Sequence, residues 1–208
     1  MPAEGAETNT ALTESEEALR FLNQGTQLFA DGKVDEAIKF FQFALKKNPE
    51  DEDGHYNLAI AYAKIGKTNE AIAEYKAALK IVPDYVEVHN NLGNLLVRLK
   101  KYDQAEEHFR EAIKADPDNA STHNNLGTVL GRQKKMAEAA KEFQEALRLN
   151  PKYTEAHFNL GNSSLEMGNP DEAIQHFSDA LLINPDFDFA KRGLEMARKQ
   201  KERDQKKK

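Results

Sequence analysis

His89-Asn-Asn-Leu-Gly-Asn94 is the stretch that decides how this chain reads, because nearly the same string keeps returning. It recurs as His123-Asn-Asn-Leu-Gly-Thr128 and His157-Phe-Asn-Leu-Gly-Asn162, and in looser form as His55-Tyr-Asn-Leu-Ala-Ile60 and Phe21-Leu-Asn-Gln-Gly-Thr26. The interval is 34 residues each time. A fixed period of that size means one supersecondary unit copied along an array, in which each copy buries its apolar face against its neighbours.

Proline punctuates the array at Pro49, Pro83, Pro117, Pro151 and Pro185. It lacks an amide proton and disfavours helix in the residue before it, so each proline ends one unit. The copies are therefore 18–51, 52–85, 86–119, 120–153 and 154–187. Each reads as a first helix (A) and a second helix (B) of about 14 residues, joined by a short turn. The turn carries Gly32, Gly66 and Gly168 in three copies and Lys100 and Lys134 in the others. Glycine takes the left-handed backbone of a helix end at the lowest cost. Pro170 falls in the first turn of a B helix, where its missing donor is harmless.

Small residues stand where two helices must approach. The eighth position of the unit is Gly25, Ala59, Gly93, Gly127 and Gly161, and the twentieth is alanine throughout, from Ala37 to Ala173. Phe41, Tyr75, Phe109, Phe143 and Phe177 fill the twenty-fourth. Small against large is how helices interdigitate at native packing density.

These residues resemble the tetratricopeptide repeat, whose signature sets an aromatic, Leu, Gly, Tyr, Ala, Phe and Pro at fixed offsets in a 34-residue helix-turn-helix. Five in-register copies cover residues 18–187. Two departures are visible: the signature Trp is replaced by Phe21, His55, His89, His123 and His157, and the signature Tyr survives only as Tyr62. The resemblance implies an all-α, right-handed superhelical solenoid of five helix-turn-helix units with a concave groove lined by the A helices. It also implies a family that mostly binds peptides and assembles complexes.

Outside the repeats, residues 1–17 are small, polar and acidic and read as a disordered lead-in, with Thr13-Glu-Ser-Glu16 as a capping box for the first helix. Residues 188–200 read as a C-terminal capping helix with Phe189, Leu194 and Met196 on its apolar side, and 201–208 as a basic disordered tail. Lys and Arg number nine against three acids over 191–208, so a net charge of −6 hides a remainder near −12. With no cysteine there is no disulfide framework and no thiolate chemistry. No apolar run approaches a bilayer span, and the N-terminus lacks a basic start and an apolar h-region; a cytoplasmic protein is the expectation.

Positions 2, 6, 9 and 13 of helix A share one face, and in the family that face looks into the groove. Position 6 is asparagine in every copy: Asn23, Asn57, Asn91, Asn125 and Asn159, with Asn94 and Asn162 added at position 9. A planar amide offers one acceptor and two donors, matching a peptide backbone, so a row of them can hold an extended chain. Asparagine is a poor helix former, and capping does not explain a mid-helix row. The plainer alternative is that these amides satisfy groups inside the repeats. Position 13 supplies Lys64, Arg98 and Arg132, which would steer acidic ligand segments or simply complement the helix dipole. Position 2 supplies Asp53, Glu87 and Glu155.

The carboxylate clamp known in the family needs basic residues that this chain replaces with Glu155 and Asn159. The asparagine row instead resembles the peptide-recognising superhelix of O-linked N-acetylglucosamine transferases. The expected function is a non-catalytic scaffold or adaptor binding an extended, acidic peptide as a monomer, without small-molecule substrate, cofactor or nucleic acid. Alternatives are the recognition arm of a larger enzyme such as a glycosyltransferase, and a self-assembling structural protein.

Catalytic and metal motifs are not found. Glu50-Asp-Glu-Asp-Gly54 would place Pro49 at the first ligand position of a calcium loop. His55, His89, His123 and His157 lie on successive copies, where equivalent positions are about 10 Å apart, so they read as packing replacements for tryptophan. His108 and His176 are set aside on the same distance argument.

Overall fold

The computed structural model describes residues 13–206 and contains eleven α-helices and no strand among them. They are α1 (Glu14–Ala30), α2 (Val34–Lys47), α3 (Glu52–Lys64), α4 (Thr68–Ile81), α5 (Val86–Arg98), α6 (Tyr102–Ala115), α7 (Ala120–Arg132), α8 (Met136–Leu149), α9 (Thr154–Glu166), α10 (Pro170–Ile183) and α11 (Asp188–Lys206). Each A helix packs on the B helix that follows it, giving the pairs α1/α2, α3/α4, α5/α6, α7/α8 and α9/α10. The helices form two compact units, Met1–Pro83 and Asp84–Lys208.

Five turns between A and B helices repeat one geometry. The residue after the C-cap has positive φ in each: Gly32 at 79°, Gly66 at 80°, Lys100 at 58°, Lys134 at 66° and Gly168 at 81°. The next amide reaches back to a carbonyl five residues earlier, Lys33 to Leu28, Lys67 to Tyr62, Lys101 to Leu96, Lys135 to Leu130 and Asn169 to Ser164, all at 2.9 Å. This is the Schellman arrangement, which satisfies helix-end carbonyls through one left-handed residue. Two lysines adopt it because the repeat requires the turn there whatever the side chain. At the other helix end, Pro170 is the first residue of α10, as its fixed φ allows.

In the first unit, Thr13 caps α1 with a capping box: Glu16 N donates to Thr13 Oγ1 at 3.3 Å and Thr13 N to Glu16 Oε2 at 2.7 Å. Residues 14–17, expected in the lead-in, are therefore the first turn of α1; residues 1–12 lie outside the described part. Phe41 packs against Gly25, and Tyr62 on α3 accepts a hydrogen bond from Gln42 Nε2 on α2 at 2.9 Å.

In the second unit the core runs through Leu92, Phe109, Leu126, Leu130, Phe143, Leu160 and Phe177, each at most 3% exposed. Ala105, Ala139 and Ala173 are fully buried. An ideal Cβ on Gly93, Gly127 or Gly161 would stand within 2.8 Å of the ring of Phe109, Phe143 or Phe177. The small-large alternation is thus a set of direct ring-on-backbone contacts. Beyond α10, α11 closes the unit: Gly193 admits the Phe177 ring, and Ala190 and Ala197 are buried. This helix continues to Lys206, past the expected end at 200, and Lys201 forms an ion pair with Asp171 of α10. Composition alone suggested a solvated tail; the helix runs on there, with this exposed pair to α10 beside it.

No helix among the described residues is long and apolar enough to cross a membrane.

Candidate functional site

Within the second unit, α5 lies against α7 and α7 against α9. Position 6 of these helices holds Asn91, Asn125 and Asn159, all half-buried; Asn94 at position 9 is exposed and Asn162 half-buried. A depression of about 480 Å³ opens between α7, α9 and α11. Its polar lining includes Asn159, Asn162, Thr128, Arg132 and Glu166, and its apolar lining Phe158, Leu165 and Met196.

The asparagines are not equivalent. Asn159 Nδ2 donates to Asn124 Oδ1 at 3.0 Å, and Asn124 is 7% exposed. The bond spends one of the two amide donors of Asn159 and fixes its plane, leaving Oδ1 and the second N–H for another partner. One repeat earlier, Thr122 Oγ1 donates to Asn90 Oδ1 at 3.0 Å. Position-5 asparagines thus bridge consecutive repeats, and the internal alternative weighed for the row applies in part to Asn159. Asn91 also has a partner. Asn125 and Asn162 make no side-chain hydrogen bond among the described residues, although both are half-buried. A half-buried amide with unspent donors can pair with water or with a ligand.

Arg98 and Arg132 are exposed, occupy the last turns of α5 and α7, and form no ion pair among the described residues. They serve the helix dipole and still present charge at the rim. Glu166 stands at the same position on α9, so the basic edge ends there.

In the first unit, Asn23 is exposed and Asn57 half-buried. Lys64 Nζ lies 4.8 Å from the centroid of the Phe29 ring, so a cation–π contact engages its charge.

Two sequence readings change here. The histidines at position 4 are more than packing replacements: His55 Nδ1 is 2.6 Å from Glu74 Oε2, and His123 Nδ1 is 2.7 Å from Glu142 Oε2. The distance argument against His108 and His176 also fails within a copy. His89 and His108 approach to 3.0 Å between Nδ1 atoms, and His157 and His176 to 3.5 Å. Equivalent positions on neighbouring copies are far apart, but positions 4 and 23 of one copy face each other across the A–B interface. The contribution of Met196 to the depression was also missed: the sequence placed it on the apolar side of the C-terminal helix, but its 61% exposure beside α7 and α9 shows only in the structure.

Family profiles described as tetratricopeptide repeat match residues 90–154 and, in a second profile, residues 28–76 and 132–192; one described as TPR repeat matches 63–100. None of the curated proteins searched matches the sequence. Among solved structures, the chain is similar to YrrB, described as a TPR protein with an unusual peptide-binding site, at 21% identity and TM-score 0.74, covering 83% of this chain and 89% of that one. It is similar to MamA from Desulfovibrio magneticus at 21% identity and TM-score 0.77, covering 83% and 98%. A thermophilic TPR protein of Thermus thermophilus, TTC0263, aligns at 28% identity and TM-score 0.62, covering 86% and 98%.

Proposed function

Because the chain belongs to the tetratricopeptide repeat family, a protein-interaction fold, we propose that it is a non-catalytic adaptor that holds an extended peptide on the A-helix face of its second unit. The observation that carries this reading is the depression between α7, α9 and α11, where Asn162 has unspent donors and Asn159 is locked in plane by Asn124. Amides placed this way take the N–H and C=O of a passing backbone. Each such bond is worth about 0.5–1.5 kcal/mol net, so the amides alone give modest affinity. Phe158, Leu165 and Met196 add apolar area for a ligand side chain, and Arg98 and Arg132 favour acidic residues flanking it. That YrrB is described as having a peptide-binding site agrees with this use of the fold.

Selection of a random peptide library on the full chain tests the proposal. Selected sequences should carry one apolar anchor with acidic neighbours, and Asn125→Ala/Asn162→Ala should lose them at least ~10-fold, about two backbone hydrogen bonds. Peptides retained equally by the double variant would place binding elsewhere.

A further inference from the structure

Positions 4 and 23 meet in every repeat; in the third and fifth both are histidine, and in the fifth Asp179 joins the pair. In the fifth the two rings turn Nδ1 toward Nδ1, and the proton position on His157 follows from what lies behind it. His157 Nε2 is 3.1 Å from the carbonyl oxygen of Pro151, which can only accept, so Nε2 carries the hydrogen and Nδ1 presents its lone pair. His176 Nδ1 faces it at 3.5 Å, with Glu172 Oε1 4.0 Å from the other nitrogen of the ring. Asp179 Oδ2 lies 4.0 Å from both Nδ1 atoms, while its other oxygen accepts from Gln175 Nε2 at 3.0 Å. With the His176 hydrogen on Nε2, the side facing Glu172, three acceptor atoms converge: His157 Nδ1, His176 Nδ1 and Asp179 Oδ2.

The triangle they form has a size that matters. The point in their plane equidistant from all three atoms lies about 2.2 Å from each, the upper end of zinc–carboxylate lengths and about 0.1 Å beyond zinc–imidazole ones, so a slight closing of the two rings seats the ion. The side chains of His157, His176 and Asp179 are 13%, 19% and 31% exposed, so the point is sheltered and still open to solvent. We propose that α9 and α10 of the fifth repeat bind a divalent transition-metal ion of the zinc class through His157 Nδ1, His176 Nδ1 and Asp179 Oδ2. Two imidazoles select against magnesium and calcium, which take oxygen ligands. The Pro151 carbonyl and Gln175 act as the outer partners that fix ring and carboxylate. Among the described residues this is the one such group of three. None of the three residues lines the depression of the proposed peptide site.

The test is titration of the full chain, free of any appended histidine tag, with Zn²⁺ against a chromophoric chelator, repeated with Co²⁺ to read coordination from its absorption bands. One equivalent should bind and should raise the thermal midpoint. Asp179→Asn, which keeps shape and fold, should weaken binding at least ~10-fold, and Gln175→Leu roughly 10–100-fold through the outer shell. His176→Phe should abolish it, while His108→Phe in the third repeat should leave the stoichiometry at one. Absence of stoichiometric binding, unchanged affinity in Asp179→Asn, or loss of binding in His108→Phe would each overturn the assignment.

Discussion

Replacing Gly127 by alanine probes the contact that sets how closely α7 and α8 pack. The new Cβ would lie 2.6 Å from Cε1, 2.8 Å from Cδ1 and 3.0 Å from Cζ of Phe143. Carbon atoms rest about 3.5–4.0 Å apart, so the ring must retreat by roughly 1 Å. Phe143 is 3% exposed and has little room to do so. Overpacking of this kind costs about 1–3 kcal/mol, against which alanine regains about 1 kcal/mol of helix propensity. The net expectation is a loss of about 0–2 kcal/mol. Gly131 on the same helix supplies the control, because a Cβ there meets nothing within 4 Å. Gly131→Ala should keep the propensity gain without the clash and stabilise by about 0.5–1 kcal/mol. The difference between the two variants isolates the steric cost, and urea unfolding followed by helical circular dichroism measures it. The corresponding position of the second repeat is Ala59, fully buried, with Tyr75 at the ring position, so the cost is one of seating a ring and not a prohibition. Equal stability of Gly127→Ala and Gly131→Ala would refute the claim that the ring-on-backbone contact limits helix approach.

Two further outcomes follow from the second unit. Lys134→Gly relieves a left-handed residue at φ 66°, which costs an L side chain about 1–2 kcal/mol, less the entropy of a new glycine, so the urea midpoint should rise by the equivalent of about 0.5–1 kcal/mol. Partial burial pushes the Glu106 carboxyl up, but hydrogen bonds from Lys135 and Arg110 outweigh it and hold the group down at about 2. A carboxyl lowered on folding stabilises above its unfolded value and loses that contribution as pH falls through its folded one. Glu106→Gln should therefore be less stable than the parent at pH 7, by on the order of 1–3 kcal/mol. The gap should close between about pH 4.5 and pH 2; a gap independent of pH would contradict the ion-pair account.

The repeats were legible because each rule that makes them is local and then copied. Proline, the left-handed turn residue and the small-large pairs each show in a few positions, and a fixed period aligns them. Lys100 and Lys134 were legible as turn residues only through that alignment, since their chemistry argues for nothing special. What stayed hidden depends on pairs brought together by the fold. The bond between Asn124 and Asn159 spans two copies, and neither residue alone signals it. Likewise, His157 and His176 were compared with their counterparts in other copies, when the relevant neighbour sat across the A–B interface of the same copy. The last turns of α11 were read as tail because charge dominates their composition, while the Lys201–Asp171 pair that meets them belongs to tertiary structure.

The most direct measurement of the adaptor account is side-chain amide NMR of the asparagines during titration with a peptide selected on the full chain. The account predicts shifts of the Asn125, Asn159 and Asn162 amide resonances at a common affinity, with those of the turn residues Asn48, Asn150 and Asn184 unmoved. Saturable binding that leaves Asn125, Asn159 and Asn162 unshifted would contradict it.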